Sequence, residues 1–229
     1  VTRPAVTTAV DAVAEQLRAA ILRGDPPPGE RLREEALAAR YDVARHTLRA
    51  ALRALAAEHL VIVEPHRGAR VANVDGSQLQ ALFELRTALE VEAVRLLEQR
   101  SGLTPWPEAV HRAAAALESA CRSAGEPSSD DARAAMDLAH LALHHALVAS
   151  AGSDRITQAH AALAAESRLV LLQSRSALSP TRMAQVHRQL LDDLRRLGPD
   201  ALRDHLAQGQ AFSTDRDVGR REMSGQAPQ

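Results

Sequence analysis

YDVARHTLRAALRAL, residues 41–55, is the stretch whose reading decides the fold. Leu48, Ala51, Leu52 and Leu55 recur at helical spacing and define one buried stripe. The opposite face carries Arg45, His46, Arg49 and Arg53. A helix of this kind fits the major groove of DNA, where an arginine can bond both acceptor atoms of a guanine. Taken alone, the same pattern describes an ordinary solvated face. The neighbouring sequence separates the two readings.

Upstream, Val10, Val13, Leu17 and Ile21 mark a helix that starts near Thr8 and stops at Gly24, after a frayed tail at residues 1–7. Asp25-Pro26-Pro27-Pro28-Gly29 is a stiff connection, and Glu30-Arg31-Leu32 leads into a short helix at about Glu34–Arg40, buried through Leu37 and Ala38. Its first turn holds Glu34 and Glu35, where negative charge is favourable. Asp42, tolerant of left-handed backbone, makes the turn into the arginine-faced helix. Downstream, Leu60–Glu64 is rich in β-branched residues, Pro65-His66-Arg67-Gly68 is a turn, and Ala69–Ala72 returns. That is a β-hairpin with a basic tip. Helix, helix-turn-helix and hairpin together make a winged helix.

The rest of the chain bounds what such a domain serves. Lys and Arg total 28 against 29 Asp and Glu, for a net charge of -1, so any nucleic-acid footprint is local. All the basic side chains other than histidine are arginines. Aromatics make up 2% of residues, which leaves a Leu/Ala/Val core and favours helices. No apolar run approaches the roughly 20 residues needed to span a membrane. Neither a signal-peptide pattern nor a disulfide framework is visible, Cys121 being the one cysteine; a cytoplasmic protein is expected.

Val74–Gln78 reads as a linker, which divides the chain into domains at 1–75 and 76–229. The second has no strand signal. Breaks at Ser101-Gly102, Gly125–Ser129, Gly152, Ser179-Pro180 and Gly198-Pro199 predict helices at about 78–100, 104–123, 129–151, 153–177, 180–197 and 199–222, with a disordered end. In the first, Leu82, Leu85, Leu89, Ala93 and Leu96 are expected to face inward, with Arg86 and Glu90 one turn apart beside them and able to pair with each other. His140 and His144 share a face, a spacing that lets two imidazoles bind one metal ion. With His187 and His205 on the last two helices, four histidines on three helices can meet inside a bundle. Each also has the plain reading of a satisfied core or surface group, which is preferred for His111, His145 and His160.

The run ILRGDPPPGERLREEALAARYDVARHTLRAALRALAAEHLVIVEPHRGARV, residues 21–71, resembles the N-terminal domain of GntR-type bacterial transcription regulators. Pro28-Gly29-Glu30-Arg31-Leu32, the Val43/Arg45/Arg49/Leu52 spacing and the Arg67-Gly68 tip carry the likeness. LRTALEVEAVRLL, LHHALVASAGS and VHRQLLDDLRRLGPDALRDHL resemble the FCD effector domain of one GntR subfamily. The resemblance implies a mainly α protein: an N-terminal winged helix-turn-helix with a small β-hairpin wing, then an all-α bundle. It implies a homodimer on double-stranded operator DNA, with Arg45 and Arg49 reading bases and His46, Thr47, Arg67 and Gly68 at phosphates or groove edges. It also implies a divalent metal, commonly zinc, held by an Asp-x-x-x-His pair and two later histidines, and a carboxylate effector held by an arginine of the first bundle helix. Carried over, His144, His187 and Arg86 match.

The departures are specific. Asp42 stands where glycine is usual, Ala44 where serine or threonine opens the recognition helix, and Glu35 where arginine is common. His140 replaces the aspartate and Ser153 an asparagine; Gly209 falls at the usual distance of the last histidine, and His205 precedes it by about one helical turn. A short loop at Gly198-Pro199 would bring His205 into register. The resulting set of neutral imidazoles suits zinc or nickel and disfavours magnesium or calcium. Two other readings remain: a DNA-binding dimer without a working metal or effector site, and a metal-dependent enzyme. The second is the weaker, because no carboxylate stands in a general-base position and no nucleophile triad or phosphate loop is visible.

Overall fold

The computed structural model describes residues 8–64, 67–125, 129–174 and 178–224, with side chains as far as Ser213. The expected frayed tail, the hairpin residues Pro65 and His66, and the last few residues lie outside them. The chain forms two compact units, Val1–Val74 and Asp75–Gln229.

In the first unit, α1 (Ala9–Ile21) opens on a capping box in which Thr8 and Asp11 satisfy each other's backbone amides, and it buries Val13, Ala14, Leu17, Ala20 and Ile21. A bidentate pair, Arg18 Nε and Nη2 each 2.6 Å from a carboxylate oxygen of Glu58, ties α1 to the end of the third helix. α2 (Glu34–Arg40) and α3 (Arg45–Ala57) follow. The helix of the opening stretch begins at Arg45, because Tyr41 and Asp42 form the turn, with Asp42 at φ 51. That left-handed conformation is one aspartate adopts more readily than most side chains, so the non-glycine turn is tolerated. Leu48, Ala51, Leu52 and Leu55 are buried, and Arg45, His46, Arg49 and Arg53 are exposed.

The wing has more structure than a hairpin. β2 (Val61–Glu64) and β3 (Gly68–Val71) pair antiparallel, and a strand β1 (Arg31–Leu32) pairs with the other edge of β3, giving the order β1-β3-β2. Arg31 lies opposite Arg70 and Leu32 opposite Ala69. Two residues are too short a run for alternation to register in a sequence, and so β1 was invisible there.

The second unit is helical throughout its described residues: α4 (Gly76–Ser101), α5 (Glu108–Ala124), α6 (Asp130–Ser150), α7 (Asp154–Ala162), α8 (Ala164–Ser174), α9 (Pro180–Leu197) and α10 (Asp200–Ser224). α5 starts four residues later than the expected 104, since Pro105 and Pro107 keep the residues before them out of helical backbone. The single helix expected at 153–177 is two helices; residues 175–177 lie outside the described set. At the joint the Leu163 amide donates to His160 three residues back, a 3₁₀ tightening that no glycine or proline announces.

The face that α4 turns inward also differs from the expectation. Leu85 is 48% exposed, while Leu79, Leu82, Phe83, Ala93, Val94 and Leu97 are buried together with Arg86 at 5% and Glu90 at 1%. A stripe chosen by hydrophobicity alone passes over two charged residues. They go inside because they compensate each other, which is the condition under which buried charge persists.

Candidate functional site

Two groups of side chains stand out, one in each unit. On the first, α3 begins after Ala44, which offers no side-chain cap to the helix amides. Two of its arginines are paired. Arg49 Nε donates to Glu34 Oε2 at 2.7 Å, and Arg45 Nη2 pairs with Glu35. The first turn of α2 therefore holds the two guanidinia nearest the start of α3. Thr47 is half-buried beside them. On the wing, Arg67 is exposed and Gly68, at φ 82, lets the backbone reverse into β3 close to the Arg31 side chain. Arg31, in the strand the sequence did not reveal, thus lies near the wing's basic end, and Arg70 is paired with Glu64 at 2.9 Å.

In the second unit, α6, α9 and α10 bring four imidazoles together. One ligand atom from each of His140, His144 and His187 lies within 4.8 Å of the others. His205 joins from α10, its ring centroid 4.7 Å from that of His187 and 5.4 Å from that of His144. The short connection at Gly198, with φ 81, and Pro199 sets that register. Gly209 lies one turn further on and lines the same cavity, against the Phe83 ring. Asp137, on α6 with them, stays outside the cluster.

Hydrogen bonding fixes which nitrogens are available. His144 Nδ1 donates to Glu90 Oε2 at 2.6 Å, and His187 Nδ1 donates to the Met183 carbonyl at 2.8 Å. Both acceptors lack protons, so both rings carry hydrogen at Nδ1. Burial pushes His187 down to about 3, and the neighbouring His144 adds to the shift; burial also lowers His144, although Glu90 opposes it. Both rings are then neutral, with lone pairs on Nε2. Those two Nε2 atoms face each other at 3.4 Å. Two lone pairs cannot bond each other, whereas two nitrogens on one tetrahedral zinc stand roughly 3.3 Å apart. The donor set fits a divalent metal of borderline softness. Burial, with the other histidines next, likewise holds His140 and His205 well below the usual imidazole range.

Behind the imidazoles, Glu90 is the hub. Its Oε1 accepts from Arg86 Nε at 2.8 Å and His160 Nε2 at 3.2 Å, and its Oε2 from His144. Burial works to raise this carboxyl, but Arg86 and the His144 contact overcome it and hold the group well below the usual carboxylate range. A carboxylate behind a ligating histidine orients the ring and increases its basicity. Arg86 also stacks its guanidinium 5.4 Å from the Phe83 ring centre, and its Nη2 is buried with no hydrogen-bond partner among the described residues. Arg86, His140, His144, His187 and His205 line one cavity.

Residues 9–71 match the family of bacterial regulatory proteins called gntR, and residues 81–208 match the FCD domain. The chain belongs to the GntR family and carries an FCD domain. Over 174 residues, covering 74% of this chain and 76% of its relative, the regulator is 36% identical to the HTH-type transcriptional repressor GlaR of Escherichia coli K12. A GntR transcriptional regulator from Rhodococcus sp. RHA1 superposes with a TM-score of 0.70 at 24% identity, covering 90% of this chain and 97% of the other. Escherichia coli McbR/YncC superposes at 0.67 with 19% identity, over 92% and 99%; at these identities the two structures speak for the fold alone. The regulator is thus a DNA-binding transcription factor, and its family is one of regulators rather than enzymes. No helix among the described residues is long and apolar enough to cross a membrane.

Sequence reasoning passed over two parts of the regulator's buried network. His160 was read as an ordinary histidine, and it contacts Glu90; Glu90 was read as a partner of Arg86 only, and it also bears on His144. The available signal was the carboxylate itself, a glutamate one turn from an arginine and flanked by the apolar Leu89 and Val91. His145 stacks on His160 with centroids 5.8 Å apart, and His111 is exposed.

Proposed function

We propose that the regulator binds a divalent metal, zinc or nickel, through His140, His144, His187 and His205, and that a small carboxylate effector meets this centre at Arg86 and alters operator binding. One observation carries the reading: two imidazole lone pairs face each other at 3.4 Å, with both Nδ1 positions committed elsewhere, beside a cavity that Arg86 also lines. When bound, the metal would supply positive charge for an anion to meet, with any direct bond to it made by expanding coordination beyond the four imidazoles. Glu90 orients His144, and Arg86 presents a guanidinium for a carboxylate.

In this reading residues 1–75 bind DNA, and residues 76–229 bind the effector and dimerise. Two recognition helices meet a palindromic operator. Arg45 and Arg49 read bases, while His46, Thr47, Arg67 and the Gly68 backbone sit at phosphates or groove edges. The effector shifts operator affinity to the extent that it binds one arrangement of the dimer better than another. The test is metal analysis of the purified chain beside its His144→Ala/His187→Ala variant, with operator affinity measured with and without a panel of small acids. The parent should retain about one metal per chain and the variant none, and the acid response should vanish with the metal. Retained metal in the variant refutes the ligand set. A metal-free parent whose DNA binding ignores every acid points to a DNA-binding dimer without a working site.

A further inference from the structure

The cavity beside the four imidazoles has one end formed by Arg86 and the imidazoles, and its remaining described walls are mostly apolar, with Ser167, Ser174, Gln208 and Ser213 among them. Arg86 is the sole arginine or lysine among its described lining residues. Its charge is already balanced by Glu90, at 2.8 Å, so the excess positive charge there is what a metal brings. Away from that end the apolar walls are Leu82, Phe83, Val170, Leu171, Val186 and Leu206. Two wall hydroxyls are committed to helix carbonyls: Ser174 Oγ donates to Leu171 at 3.2 Å, and Ser213 Oγ donates to Gly209 at 3.0 Å. Gly209 leaves the Phe83 ring edge in contact with the backbone of α10, so no side chain from that position enters the space.

From these walls we infer that the effector is a monocarboxylate with an apolar body of several carbons. The inference rests on the effector-site reading above and specifies its chemistry. A second carboxylate on the ligand would lose its water among leucine, valine and phenylalanine, with no arginine or lysine other than Arg86 among the described lining residues to meet it, and buried unpaired charge is strongly disfavoured. An alkyl chain, by contrast, gains about fourfold in affinity for each methylene it buries.

The full-length chain loaded with Zn(II) is titrated by calorimetry with acetate, hexanoate and adipate, and the metal-free chain is titrated with hexanoate. Hexanoate is expected to bind at least about tenfold tighter than acetate, from the buried methylenes. It should also exceed adipate, its equal in length, by at least about tenfold, from desolvation of the second carboxylate. Removal of zinc should abolish the binding. Adipate equal to or tighter than hexanoate overturns the inference and leaves the carboxylate site standing. Acetate equal to hexanoate does the same, because the walls then contribute nothing. Hexanoate binding that is indifferent to zinc places the ligand elsewhere and also overturns it. If none of the acids binds the zinc-loaded chain, the site reading itself fails and this inference falls with it.

Discussion

Replacing Glu34 and Glu35 by glutamine should make the regulator bind DNA of any sequence more tightly. In the free protein Glu34 holds Arg49 at 2.7 Å and Glu35 holds Arg45, so two guanidinia must leave a carboxylate before they reach a phosphate or a base. The carboxylates would also stand near the DNA backbone and repel it. Each neutralised acid therefore frees up to one charge, or two per protomer. Affinity falls with salt at a logarithmic slope of about −0.9 per phosphate neutralised, so two added contacts steepen the slope by about 1.8 per protomer and raise affinity up to about 60-fold for each decade of salt below 1 M. The pairs are unequal. Glu35 is 76% exposed on its side chain and Arg45 64%, so water already competes for that contact, whereas Glu34 is 24% exposed. Surface pairs of the first kind contribute little, and Glu34→Gln alone should supply most of the gain. Fluorescence anisotropy on a random-sequence duplex between about 50 and 300 mM salt reads both affinity and slope. An unchanged slope and affinity in the double variant would refute the idea that α2 restrains the recognition helix.

Three other outcomes are expected. Glu90→Gln leaves Arg86 as an uncompensated buried cation and takes the carboxylate from His144; stability should fall by about 3–5 kcal/mol in chemical denaturation and metal affinity by about 10–100-fold in competition with a chelator, and a variant as stable as the parent would deny Glu90 its central place. Arg49→Ala should lose about 1–3 kcal/mol of sequence-specific affinity in operator titrations, with unchanged binding removing its role in base reading. The metal-free protein should lose stability on acidification from pH 7 to 5: the unfolded chain protonates its histidines near 6.5, while buried His187 waits until about 3, so the unfolded state binds more protons and each such histidine contributes about 2 kcal/mol of loss at pH 5. Asp137 opposes this, because burial raises it to about 6 and its folded form takes up a proton first; Asp137→Asn should deepen the loss, and a flat profile in that variant would contradict the buried neutral imidazoles.

Much of the first unit was legible because its signals are local. Leu48, Ala51, Leu52 and Leu55 declare one face of α3, and the Asp42 turn and β-branched strands follow rules of a few residues' range. The pairing of β1 with β3 depends on a partner almost forty positions away, and nothing in Arg31-Leu32 announces it. In the second unit the pairing of His140 and His144 was readable from their spacing on one helix, whereas His205, about one turn short of the usual distance, depended on the short connection at Gly198-Pro199. The contacts behind the imidazoles were not readable. Arg86 and Glu90 read as a pair beside the buried face of a helix, and the contacts they make with His144 of α6 and His160 of α7 come from positions far along the chain. Hydrophobic periodicity assigned Leu85 to the core because it assumes charge stays outside, and here a closed set of charges took the place that leucine was given.

The two-residue strand β1 has a consequence for the operator. It is fastened to β3 of the wing at Arg31 and Leu32, and one residue later, after Arg33, the chain enters α2, which carries the turn and α3. The wing and the reading helix are therefore two jaws of one calliper with a fixed opening. A base pair inserted into a half-site between the positions they touch displaces one set of contacts by about 3.4 Å along the axis, and the hinge that would absorb such a step is stitched shut. Among operators of otherwise equal sequence, the interval within each half-site should tolerate less variation than any single base in it.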